Sequence, residues 1–85
     1  MRQFNYRPKG VCSMEIQFEL DDLDMVHNVQ FIGGCPGNTA GVATLAEGKN
    51  AHELVAKLKG IDCRGRGTSC PDQLAKALAQ ALASK

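Results

Sequence analysis

Four cysteines stand at Cys12, Cys35, Cys63 and Cys70 of an 85-residue chain. Cysteine thiolate is both a zinc ligand and the nucleophile that attacks a disulfide, so these side chains are the leading candidates for chemistry. Their spacing contains no C-x-x-C knuckle, and the metal reading therefore rests on the fold bringing them together. If it does, Cys12, Cys35, Cys63 and Cys70 form a closed tetrahedral site that suits zinc, with metal–sulfur distances of about 2.3 Å. Iron in a four-sulfur site has the same sequence pattern. Three readings compete with metal. Cys63 and Cys70, which flank Arg64-Gly65-Arg66-Gly67-Thr68-Ser69, can be a redox dithiol, the cysteines can be inert buried thiols, or they can be paired as disulfides.

Convergence is what a coarse reading of the elements predicts. Phe4 and Tyr6 alternate with polar residues, and Arg7-Pro8-Lys9-Gly10 has turn chemistry. Cys12, Met14, Ile16, Phe18 and Leu20 then take every second position, the period of a half-buried strand. His27, Val29, Phe31, Gly33 and Cys35 share one parity in a second such strand. Pairing like faces in an antiparallel hairpin sets Leu20 opposite His27, Phe18 opposite Val29, Ile16 opposite Phe31 and Met14 opposite Gly33. The next pair in that register is Cys12 with Cys35.

The rest of the chain has helical patterning. Asn38 is a candidate N-cap for a helix through Ala46, closed by Gly48. Asn50-Ala51-His52-Glu53 opens a second helix with Leu54, Val55 and Leu58 on its apolar stripe and Gly60 at its end. A third has Cys70 at its N-cap, Pro71 at its first position and Leu74, Leu78 and Leu82 in a row. Cys35 and Cys70 thus stand beside helix starts, where the positive end of the dipole favours a thiolate. The expected fold is α+β: a three-stranded antiparallel β-meander followed by three helices packed on one face, in a single domain over residues 1–85.

Other residues offer less. Gly33, Gly34, Gly37 and Asn38 join a strand to a helix and are candidates for a nucleotide-phosphate nest, but they form neither a P-loop nor a G-x-G-x-x-G fingerprint. Arg64 and Arg66 are two cations in a glycine loop, too few for a nucleic-acid patch. His27 falls on the apolar face by parity and His52 in the first turn of a helix, where it is expected to be exposed. Asp21, Asp22 and Asp24 read as a solvated turn, at a spacing unlike an EF-hand loop.

A net charge of +1, 44% hydrophobic and 22% charged residues describe an ordinary globular domain, with no bulk attraction for polyanions. No apolar run is long enough to cross a bilayer. The N-terminal Met1–Pro8 stretch lacks the apolar core of a secretion signal, so the expected location is the cytoplasm, where disulfides are uncommon. The exposed edges of a small sheet offer a route to a homodimer.

The string Thr68-Ser69-Cys70-Pro71-Asp72, followed by Gln73-Leu74-Ala75, resembles the signature of the TSCPD domain. The four cysteines and Gly33-Gly34-Cys35-Pro36-Gly37-Asn38 are similar to the same family of small proteins along essentially the whole chain. That domain also occurs near the C-terminal end of vitamin-B12-dependent, class II ribonucleotide reductases. The resemblance implies an accessory role in ribonucleotide reduction, as a metal-stabilised module or as a thiol donor, with a ribonucleotide reductase or a thioredoxin-like protein as partner. It does not imply complete reductase activity: the catalytic barrel, radical cysteine and cobalamin site of such an enzyme have no room in a chain of this size.

Overall fold

The two-residue periodicity of the first third becomes a sheet. In the computed structural model, which describes residues 1–8, 13–33, 36–61 and 68–84, strands β1 (Arg2–Tyr6), β2 (Ser13–Leu20) and β3 (Val26–Gly33) precede helices α1 (Pro36–Ala46), α2 (Ala51–Leu58) and α3 (Cys70–Ala83). The strands are antiparallel and lie in the order β1-β2-β3. This is the expected meander and α+β arrangement. Ile16, Phe18 and Leu20 are buried, while Glu15, Gln17 and Glu19 between them are partly exposed. Phe4 lies opposite Phe18 in the ladder, and their rings stack at a centroid distance of 5.3 Å.

The β2–β3 register departs from uniform pairing. Ile16 faces Phe31 as expected, but Leu20 pairs with Val26 and not with His27, which lies opposite Glu19. The slip falls between Gln17 and Glu19, where the expected Phe18–Val29 pair would be. Its cause is Asn28, which has a left-handed backbone (φ 55°) and adds one residue to β3, a β-bulge at a residue type that tolerates this conformation. The bulge reverses parity, so Val26, fully buried, takes the core position expected for His27. A second slip sets Gly33 opposite Ser13 rather than Met14. The expected Cys12–Cys35 pair lies outside the described residues.

The helices close the core over the same sheet face. α1 starts at Pro36, two residues before the expected Asn38 cap, because proline suits the first helical turn. It ends at Ala46 as expected. Gly48 then donates its N–H to the Val26 carbonyl and Val26 donates to that of Lys49, at 2.7 and 2.8 Å, which covers the start of the β3 edge. Asn50 caps α2 by accepting the His52 N–H at 2.9 Å. Leu54 of α2 and Leu74, Ala77, Leu78 and Ala81 of α3 join Ile16, Phe18, Leu20, Val26 and Val29 in one cluster. α1 lies chiefly against β3 and α2 against α3.

Gly60 ends the second helical segment with φ 85°, and a Cβ there would meet no atom within 4 Å. The cost of Gly60→Ala is then backbone strain alone, about 1 kcal/mol. Urea denaturation checks this, and an unchanged midpoint would contradict it.

Candidate metal centre

The Thr68–Gln73 segment is a closed hydrogen-bonded knot. Ser69, not Cys70, is the N-cap of α3: its backbone is extended and its Oγ accepts the Asp72 N–H at 3.1 Å. Cys70 is the first helical residue and Pro71 the second. The S-x-x-D spacing of a capping box marks this start, a local signal that outranks a cysteine as cap. Ser69 Oγ also donates to the Ile61 carbonyl at 2.6 Å. Asp72, 3% exposed, accepts from the Thr68 hydroxyl at 2.6 Å and from the Gly60 N–H at 2.7 Å. Gln73 Nε2 donates to Thr68 Oγ1 at 2.8 Å, and Lys76 Nζ stands 3.4 Å from Asp72. The Thr68 hydroxyl is the main reason the Asp72 carboxyl is held below the usual aspartate range, with Gly60 and Lys76 adding to it against burial. The five signature residues are therefore a clamp that ties the end of α2 to the first turn of α3, with Cys70 buried inside it.

The described neighbours of the cysteines are joined in two pairs. Ser13, next to Cys12, lies opposite Gly33, two residues before Cys35. Ser69, next to Cys70, donates its hydroxyl to the carbonyl of Ile61, two residues before Cys63. α2 runs the opposite way to α3, from Asn50, bridged to Met25, to Gly60 at Asp72.

Cys12, Cys35 and Cys63 themselves lie outside the described residues, as do Gly34, Arg64 and Arg66. Among the described residues no group of three or more His, Cys, Asp or Glu side chains is placed to hold a metal ion. Cys70 is a buried thiol at a helix start, and its donor chemistry would suit zinc. Gly33 ends β3 with φ 80°, whereas Gly37 and Asn38 belong to the first turn of α1 and not to a loop. His52 is exposed, as expected.

The aspartate turn is not simply solvated. Asp24 is 9% exposed, with φ 62°, and accepts from Arg2 Nη2 at 2.9 Å. Asp21 Oδ1 accepts the N–H groups of Leu23 and Met25 at 2.9 and 3.0 Å. His27 bridges Asp21 and Glu47. Sequence reading had no means of finding that bridge, because Glu47 is remote in the chain; the Asp72 clamp was half-legible in the capping-box spacing.

No curated protein and no solved structure matches the chain. The family model of the TSCPD domain matches residues 2–82, a span that includes the clamp, all six elements but for the last residue of α3, and the four cysteine positions. The chain belongs to the TSCPD domain family.

Proposed function

We propose that this protein is a small zinc-binding accessory module, its metal held in a structural role by Cys12, Cys35, Cys63 and Cys70. One observation carries the reading: the described neighbours of the cysteines are joined two by two, Ser13 opposite Gly33 in the sheet and Ser69 bonded to Ile61 at the start of α3. Zinc supplies no redox chemistry at such a site; it cross-links elements that an 85-residue chain has little core to hold. The segment before β2, the β3–α1 connection, the α2–α3 connection and α3 would each contribute one sulfur, so that one ion ties the sheet to the helices.

Family membership supports the wider role. The protein acts beside a ribonucleotide reductase, as a metal-stabilised module. Elemental analysis of protein purified without added metal tests the site. About one zinc per chain is expected, and a metal-free, folded preparation is the contrary result. Calorimetric titration of the zinc-loaded protein into a class II reductase tests the partner, with no measurable heat counting against it.

A further inference from the structure

His27 has an ionisable carboxylate at each ring nitrogen. Its Nε2 lies 2.8 Å from Asp21 Oδ2 and its Nδ1 2.6 Å from Glu47 Oε2. A neutral imidazole carries one N–H, and an ionised carboxylate only accepts. Both contacts are hydrogen bonds only if both ring nitrogens carry protons. Neither carboxylate is free to turn away. Asp21 Oδ1 is occupied by the Leu23 and Met25 N–H groups, and Glu47 Oε1 accepts the Asn28 N–H at 2.9 Å.

Charged groups of both signs stand on the neighbouring elements. Glu19 of β2 lies opposite His27 in the ladder and accepts from Asn28 Nδ2 at 2.6 Å. Asp22 and Asp24 share the turn with Asp21. Arg2 of β1 reaches the Asp21 carbonyl and the Asp24 carboxylate, His52 of α2 stands 3.7 Å from Asp24, and Lys49 follows Glu47 in the α1–α2 connection. Arg2 is already engaged with Asp24, which leaves His27 as the proton-bearing partner shared by Asp21 and Glu47.

We propose that His27 is held as an imidazolium in the folded protein and works as a pH-operated latch, fastening the C-terminal end of α1 to the β2–β3 turn while protonated and freeing one end when it loses a proton. The hydrogen bond His27 donates to Asp21, then that to Glu47, pushes it above the ordinary histidine value of 6.5. His27 in turn is the main cause holding Asp21 below its usual value, and the Asn28 N–H is the main cause for Glu47. Stability from the histidine is complete below its unfolded value and is lost as pH rises through the raised folded one. Stability from the carboxylates is present above their ordinary values of 3.8 and 4.5 and is lost as pH falls through the lowered ones. The latch is therefore strongest between about pH 4.5 and 6.5. α1 begins at Pro36, next in the chain to Cys35, so the helix whose seating responds to pH is the one that leads away from a proposed ligand.

Imidazole-nitrogen NMR titration of the intact protein tests this. The expected result is two protonated ring nitrogens on His27 at pH values where a free histidine is already neutral. The Asn28 amide should also exchange faster than its base-catalysed trend once the midpoint is passed. Glu47→Gln should lower the midpoint while leaving the Asp21 bond in place. A His27 titrating at or below the ordinary value, or a midpoint unmoved by Glu47→Gln, would overturn the latch.

Discussion

A strong chelator should unfold this protein by removing the proposed zinc. Among the described residues the fully buried large side chains are Ile16, Leu20, Leu74, Leu78 and Val26, and the aromatic residues Phe4, Tyr6 and Phe31 are only partly buried against them. Domains of such size have small margins, within a typical stability of about 5–15 kcal/mol. Structural zinc contributes on the order of 10 kcal/mol to the folding of small metal-binding peptides, enough to account for most of that margin. Circular dichroism with and without chelator should show the cooperative melt disappear and return on adding zinc. Cobalt(II) in place of zinc should give intense thiolate charge-transfer absorption, which separates a sulfur site from adventitious binding at His27 or His52. A melt indifferent to the chelator, in protein that carries no metal, would end the zinc reading and leave the fold and family intact.

The second large effect belongs to Asp72. Its carboxylate is buried and accepts from the Thr68 hydroxyl and the Gly60 N–H. Hydrogen bonds to a charged group contribute about 1.5–3 kcal/mol each, and a buried donor left without its acceptor adds its own penalty. Asp72→Ala should therefore destabilise by about 3 kcal/mol or more. Asp72→Asn should cost less, because one oxygen remains to accept while the new amide faces a donor. Thr68→Val removes two bonds from the network, the one donated to Asp72 and the one accepted from Gln73, and should cost about 2 kcal/mol. Because Asp72 sits below its ordinary value of 3.8, its contribution is present above that value and disappears as pH falls through the lowered one. Urea denaturation of the three variants gives the order directly. An alanine variant as stable as the parent would mean that the clamp is decoration. Since Cys70 lies in the clamped turn, the alanine variant should also bind zinc more weakly.

Local pattern determined much of this molecule. The alternation from Ile16 to Leu20 is enough to make β2 and to choose its buried face. Gly48 and Gly60 end the helical segments where their positive φ angles are needed, and the row of Leu74, Leu78 and Leu82 is enough to make α3 amphipathic. The Thr68–Asp72 string identified the family. These features are legible because each depends on residues within a few positions of one another, where side-chain period, capping and backbone freedom act.

Tertiary structure decided the rest. Parity placed His27 in the core, but the bulge at Asn28 puts Val26 there, and the Asn28 N–H that marks the bulge bonds to Glu47, 19 residues away. Freed from the core, His27 meets two carboxylates from separate elements. Asp72 likewise earns its burial from Gly60, 12 residues distant. Cysteine type and count were readable at once, yet the links between their neighbours, Ser13 with Gly33 and Ser69 with Ile61, belong to the folded chain. Such contacts form only when the chain has folded back on itself, and a one-dimensional period has no term for them.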